Sequence, residues 1–256
     1  MSFLSEIIER KRQRLEAVKQ IVPRESFDIR VNSHRFRQAL LRDGINIIAE
    51  FKRRSPSKGV IRADADLHEI VKSYETGGAS AISVLTEEDY FSGSLDDLRV
   101  VKKSVDLPVL RKDFIIDEYQ VYESSAAGAD AVLLIVAALD DDTLLRLRRL
   151  IEDELGMDAL IEVHAHEEMQ RAAACGANVI GVNNRNLHTF EVSLETSLLL
   201  AQQAPPRAVL ISESGLNNST DLARLRDAGY CGFLIGESLM RSENPEAALR
   251  ELMRMP

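Results

Sequence analysis

Ala127-Gly128-Ala129-Asp130-Ala131-Val132-Leu133-Leu134-Ile135-Val136 compresses a helix end, a turn and a buried strand into one short stretch. Glycine suits the left-handed position that ends a helix. The apolar run after it has the continuity required of a parallel strand covered on both faces. The same arrangement recurs at Gly77-Gly78-Ala79, Cys175-Gly176-Ala177 and Ala228-Gly229-Tyr230, at a spacing of roughly fifty residues. That spacing is too long for one helical repeat and about right for two β-α units of a barrel.

Working outward from these turns predicts eight strands: Ile45–Lys52, Ala81–Glu87, Pro108–Phe114, Ala131–Val136, Asp158–His164, Val179–Arg185, Ala208–Ser214 and Gly232–Glu237. A helical pattern follows each: Asp66–Tyr74, Leu95–Lys103, Glu118–Ala126, Asp141–Asp153, Glu167–Ala174, Leu194–Gln203, Ser219–Ala228 and Pro245–Met253. Eight alternations in one chain predict an α/β fold, the (β/α)8 TIM barrel. A doubly wound open sheet competes, but it normally carries a Gly-rich fingerprint after its first strand, and Ile47-Ile48-Ala49-Glu50-Phe51-Lys52 carries none. One domain over residues 1–256 is expected, with residues 1–44 as an N-terminal helical extension. Within it Phe3–Val22 has Leu4, Ile7, Ile8, Leu15 and Val18 roughly on one stripe, and Ser33–Arg42 reads as a second, shorter helix. This extension either plugs the bottom of the barrel or caps its catalytic mouth.

A hydrophobic content of 45% and a charged content of 29% fit a soluble globular protein. The net charge of -9 argues against nucleic acid as the main partner, yet a local cationic site can still hold an anionic substrate. Cys175 and Cys231 are the only cysteines, far apart and read as structural, so a reducing, cytoplasmic setting is expected without disulfide or zinc. The start is charged rather than a signal segment, and no apolar run is long enough to span a bilayer. No membrane partner is expected. A monomer is the simplest expectation, with a weak homo-oligomer as the alternative.

The chemistry is concentrated where strands end, which is where barrel enzymes place it. Period-two alternation sets Ile48, Glu50 and Lys52 on one face, and likewise Leu110, Lys112 and Phe114. It also groups Leu160, Glu162 and His164, then Gly181, Asn183 and Arg185, and puts Glu213 on the face of Ile211. One charge at a strand end means little. Two lysines, an arginine and three carboxylates converging on one rim persist only if paired or functional, because burying unpaired charge is costly. The rim reads as an acid–base site.

Two loops suit a phosphate: Ser212-Glu213-Ser214-Gly215-Leu216-Asn217 and Leu234-Ile235-Gly236-Glu237-Ser238. They follow strands seven and eight, and their small residues let backbone N–H groups approach an anion. Ser55-Pro56-Ser57-Lys58-Gly59 is a third polar loop and a candidate lid. His164 and His166 have the look of a metal pair, but no carboxylate–histidine constellation supports a metal. His34, His68 and His188 read as surface or capping residues, and Asp140-Asp141-Asp142 as the solvated start of the fourth helix.

The segment Ile48-Ala49-Glu50-Phe51-Lys52-Arg53-Arg54-Ser55-Pro56-Ser57-Lys58-Gly59 closely resembles the signature of the indole-3-glycerol-phosphate synthases of tryptophan biosynthesis. So do Ser83-Val84-Leu85-Thr86-Glu87 with Tyr90-Phe91-Ser92-Gly93-Ser94, Pro108-Val109-Leu110-Arg111-Lys112-Asp113-Phe114, and Glu162-Val163-His164. The likeness continues through Gly181-Val182-Asn183-Asn184-Arg185-Asn186-Leu187, Ser212-Glu213-Ser214-Gly215 and Gly236-Glu237-Ser238-Leu239-Met240. It covers essentially the whole chain in order, and no catalytic position departs from the pattern.

The resemblance implies a carboxy-lyase reaction, free of cofactor and metal, on 1-(2-carboxyphenylamino)-1-deoxyribulose 5-phosphate. Ring closure, loss of CO2 and dehydration would give indole-3-glycerol phosphate. It implies Lys112 as general acid, Lys52 as carboxylate holder and second acid, and Glu162 and Glu50 as candidate bases whose division of labour stays open. Asn183 and Arg185 would orient hydroxyls and carboxylate, and Glu213 would position a lysine or a hydroxyl. Ser214, Gly215, Gly236 and Glu237 would hold phosphate largely through backbone amides, the Glu237 side chain pointing away. Ser55, Pro56, Phe91, Phe114, Leu134 and Leu187 would contact the substrate, the apolar ones among them forming a slot for its aromatic ring. Two other readings are a phosphoribosylanthranilate isomerase, which usually has a Cys where Glu50 and Lys52 end the first strand here, and a non-catalytic barrel scaffold.

Overall fold

The structure is a computed structural model that describes residues 3–56, 58–186 and 189–254. Eight parallel strands close into a barrel: β1 Asn46–Phe51, β2 Ala81–Leu85, β3 Val109–Lys112, β4 Ala131–Ile135, β5 Asp158–Val163, β6 Val179–Asn183, β7 Val209–Glu213 and β8 Tyr230–Ile235. Each pairs with its sequence neighbours, and β1 pairs with both β2 and β8, so no edge is left open. The (β/α)8 reading is borne out.

Helix α1 spans Phe3–Ile21 and α2 Arg35–Leu40. The barrel helices are α3 Leu67–Gly77, α4 Leu95–Ser104, α5 Glu118–Ala127, α6 Asp141–Arg149, α7 His166–Ala174, α8 Glu195–Ala201, α9 Ser219–Asp227 and α11 Pro245–Met253. Short side chains set many of the boundaries. Asp66, Ser94, Asp117, Asp140, Asn218 and Asn244 each accept a bond from a first-turn N–H of the helix they precede. Gly78 and Gly128 end α3 and α5 in the left-handed conformation that the repeated turns predict.

Three details depart from the sequence reading. The fourth helix does not run regularly to Asp153, because α6 passes at Leu150 into a single π turn, Leu150–Glu154. A two-rung antiparallel hairpin, Arg54–Ser55 with Gly59–Val60, occupies the polar loop after β1; Ser57 lies outside the described residues. A short helix α10, Glu237–Arg241, follows β8 where a strand end was expected.

Alternation along the strands creates two apolar layers. Ile48, Leu110, Leu133, Leu160, Ile211 and Leu234 fill the barrel interior. Ile47, Ala49, Val132, Leu134, Ile161 and Ile180 face the helices. The N-terminal extension does both jobs between which its sequence left a choice. Phe36 and Leu40 of α2 join the interior layer from the amino-terminal end of the barrel. The buried Asp158 carboxylate anchors that plug by accepting from the Arg37 N–H at 2.8 Å and pairing with His34 Nδ1 at 3.0 Å. Helix α1 lies across the opposite end, where Phe3, Leu4 and Ile7 line the mouth. Lys11 of α1 pairs with buried Asp113 at 2.8 Å, just beyond Lys112. Burial works against the Asp113 carboxylate, but the charges of Lys11 and Arg111 outweigh it and hold its pKa down to about 2.

Candidate active site

The carboxyl ends of the strands open into a cavity of about 760 Å³. Of the predicted charged rim, Glu50, Lys52, Lys112, Glu162 and Arg185 line it, while Glu213 is buried and meets it through Lys112. Lys112 Nζ stands 2.5 Å from Glu213 Oε2, 3.7 Å from Glu162 Oε2 and 3.9 Å from Glu50 Oε2. Lys52 Nζ lies 2.7 Å from Glu50 Oε1. Five side chains from four strand ends, those of β1, β3, β5 and β7 with Lys52 just past β1's last residue, would disperse without the closed barrel to bring them together.

Three carboxylates face two ammonium groups here, so one negative charge is in surplus. Burial disfavours every charge in the cluster. At Lys112 the three carboxylates outweigh that penalty and raise its pKa, so it carries its proton throughout the physiological range. At Glu50 the charges of Lys52 and Lys112 likewise overcome burial and hold the carboxyl below its ordinary range. At Glu213 burial wins: together with the Glu162 and Glu50 charges it outweighs Lys112 and pushes the carboxyl up to about 7. Glu213 is the natural seat for a proton. Its Oε1 is buried without a hydrogen-bond partner, as suits an oxygen that takes one.

Two glycines make room for these carboxylates. A Cβ on Gly181 would stand 2.2 Å from Glu213 Oε1, and one on Gly236 would stand 2.5 Å from Glu50 Oε1. No sequence pattern on the separate strands announces this need.

Most of the other predicted positions converge on the same cavity. Ser55, Pro56, Phe91, Phe114, Asn183, Arg185, Ser214, Gly215, Gly236 and Glu237 all line it. The Phe91 and Phe114 rings lie 6.3 Å apart and tilted by 40°, the start of an apolar wall. Asn183 Oδ1 accepts from the Arg185 N–H, which leaves its amide N–H groups for the cavity. The Glu237 carboxylate accepts from Arg241 Nε at 3.2 Å, one turn along its own helix, and both residues line the cavity. Ser214 and Gly215 are both left-handed, at φ 68° and 78°, so the chain doubles back at the loop whose sequence suits a phosphate. Ser92 and Phe190, also non-glycine residues at positive φ, belong to loops at this same end. Backbone strain of this kind concentrates at functional sites.

Leu134 is a correction. It is fully buried in the outer layer against the helices, while its neighbours Leu133 and Ile135 line the cavity. Strand β4 is apolar at every position, so it has no polar residue to say which face is inward. Leu187 and His188 lie outside the described residues. The sequence reading also missed Phe3 and Ile7 of α1, and Lys58 and Arg241, all of which line the cavity. The stripe on α1 was visible, but its target was not.

The two histidines of the apparent pair part company. His164 sits between Glu162 and Glu168, whereas His166 is exposed and bonds Gln203 and Gln170. Among the described residues no group of three or more His, Cys, Asp or Glu side chains is arranged to hold a metal ion. None of their helices is long and apolar enough to cross a membrane.

Residues 4–252 match the family model of indole-3-glycerol phosphate synthase. An indole-3-glycerol phosphate synthase from Koribacter versatilis is 48% identical, with 98% of this chain and 99% of that protein covered. One from Bacteroides thetaiotaomicron is 46% identical, with 98% of each covered. Among solved structures, 3-hexulose-6-phosphate synthase from Salmonella typhimurium superposes with a TM-score of 0.65 over 82% of this chain and 97% of that one. At 14% identity it shares the fold alone.

Proposed function

Since the chain belongs to the indole-3-glycerol phosphate synthase family, we propose that it closes the indole ring in tryptophan biosynthesis, converting 1-(2-carboxyphenylamino)-1-deoxyribulose 5-phosphate to indole-3-glycerol phosphate. The observation that carries this reading is a protonated lysine, Lys112, held by three carboxylates on the floor of a cavity with aromatic walls. Lys112 gives its proton to the ribulose carbonyl oxygen as the ring carbon bearing the carboxylate attacks the carbonyl carbon. CO2 then departs, and its bonding electrons restore the aromatic ring. Loss of the new hydroxyl as water, with a proton from Lys52, and removal of a ring proton complete the indole.

The ion pairs support a division of labour. Glu213, bonded to Lys112, positions that acid, and taking up a proton there makes Lys112 a stronger donor by removing the nearest negative charge. Glu50 is committed to Lys52. Glu162 is only loosely engaged by Lys112 and is the freer carboxylate for the base role. Asn183 and Arg185 orient the ribulose hydroxyls and carboxylate. Backbone N–H groups of Ser214, Gly215, Gly236 and Glu237 hold the phosphate. Phe91 and Phe114, with Ser55, Pro56, Leu133 and Ile135 from the same cavity wall, hold the flexible substrate folded, and positioning of this kind accelerates a cyclisation.

The test is fluorescence-detected indole formation by purified protein on the carboxyphenylamino-deoxyribulose phosphate, with EDTA present. Turnover under those conditions supports the substrate and a metal-free reaction together. Well-folded protein without turnover would return the barrel to the isomerase or scaffold readings.

A further inference from the structure

Behind the acid–base cluster, between the end of β5 and the start of α7, sits a charged triad that the proposed steps leave unused. His164 follows Glu162 by two residues, so both side chains leave the strand toward the same side. The imidazole is largely buried, with 12% of its side-chain surface exposed, and has a carboxylate on either edge. Nδ1 lies 3.3 Å from Glu168 Oε2, and Nε2 lies 3.3 Å from Glu162 Oε1. Glu168 also accepts the His164 backbone N–H at 2.7 Å, which fixes this side of the triad. Nε2 is sealed from solvent but has no well-aligned hydrogen-bond partner. A buried donor left unpaired costs free energy, and Glu162 Oε1 is the acceptor at hand.

The other oxygen of Glu162 faces Lys112 at 3.7 Å, so this carboxylate is shared between a lysine and an imidazole. When Lys112 passes its proton to substrate, Glu162 loses its cationic neighbour on that side. We propose that His164 is a positioning residue for Glu162: anchored by Glu168, it closes its Nε2–H onto Oε1 and aims Oε2 at the substrate. The inference rests on the base role given to Glu162 above.

The charges around the imidazole suit this task. Glu162 faces it from its own strand, Glu168 from α7 and Glu213 from β7, while Lys112 stands beyond Glu162 and Arg171 beyond Glu168. Burial lowers the imidazole pKa, but the Glu168 bond and the three carboxylate charges outweigh it and raise the pKa above its ordinary value. Only the doubly protonated ring has an N–H for both flanking carboxylates. Turnover should therefore decline on the alkaline side of the ordinary histidine range, as one of the two ties is lost.

The experiment measures kcat and KM for indole formation from about pH 5.5 to 9 in wild type, His164→Ala, His164→Gln and Glu168→Gln. In parallel, the His164 imidazole is titrated by NMR in wild type, Glu168→Gln and Glu162→Gln. His164→Ala should lower kcat about tenfold with KM within about twofold. His164→Gln keeps a donor toward Glu162, so it should return to within about threefold of wild type and lack the alkaline decline. The imidazole pKa should fall in both glutamate variants. Equal losses in His164→Ala and His164→Gln, a pH profile unchanged in His164→Gln, or an imidazole indifferent to Glu162→Gln would each overturn the proposal. A wild type that does not turn over this substrate refutes the functional reading instead, and the imidazole titration still decides whether Glu162 and His164 are paired.

Discussion

Replacing Gly181 by alanine separates the fold from the chemistry. The new methyl would stand 2.2 Å from Glu213 Oε1, about 1.2 Å short of ordinary contact, and 3.1 Å from Leu160 Cδ1. Gly181 is not among the glycines at positive φ, so alanine fits the backbone and stiffens the unfolded chain by ~0.4–1 kcal/mol. The group that must yield is the tip of the Glu213 side chain, which moves more cheaply than a strand. Gain and steric cost nearly cancel, and Tm should stay within roughly 4 °C of wild type. Glu213 cannot retreat without giving up its 2.5 Å bond to Lys112. A misplacement of about 1 Å at a reacting group costs on the order of 10²-fold, equivalent to ~2.7 kcal/mol of barrier. Steady-state kinetics with the fluorescence assay and a thermal melt on the same sample test both halves. Wild-type kcat in a folded variant would refute the claim that Glu213 positions the acid. A large fall in Tm would show that the steric cost lands on the barrel.

Other expectations follow from the same geometry. Lys112→Ala should lower kcat by about 10²–10⁴-fold, the range of general acid catalysis, while phosphate-dependent ligand binding persists in calorimetry; wild-type-like turnover would remove Lys112 from the acid role. Leu134→Ala should cost ~2–5 kcal/mol of stability in chemical denaturation with KM nearly unchanged, and a raised KM in a stable variant would return Leu134 to the cavity wall. Asp113→Asn breaks the buried tie to Lys11 and should cost ~3–5 kcal/mol at neutral pH. Its folded pKa lies below the ordinary 3.8, so the wild type's advantage holds above that value and fades as pH falls through it toward about 2. Denaturation of both proteins at several pH values tests this, and an advantage that is constant down to the acid end would contradict it.

Much of the architecture was readable without coordinates because it is written in short-range chemistry. Continuous apolar runs and glycine at helix ends act within a turn or two, so strand and helix order follow from neighbours. Strands with a charged end, such as Glu50 with Lys52 or Glu162, also declare their inward face, because a rim charge must point at the cavity or at solvent. Strand β4 has no such residue, and its inward face came out reversed: Leu133 and Ile135 line the cavity in place of Leu134.

Period-two alternation at the ends of barrel strands predicted that two lysines, an arginine and three glutamates would share one rim, and chain order that small-residue loops would follow the last two strands. Which glutamate holds which lysine was decided by closure of the barrel, which sets Lys112 against Glu213 across 101 positions of sequence. The same holds for α1 as cap and α2 as plug, since an amphipathic stripe specifies that a face is buried but not against what. The space that Gly181 and Gly236 leave for carboxylates on other strands is likewise a property of the packed interior. Local periodicity carries information over a few residues, whereas pairing of charges depends on distances that only the folded chain defines.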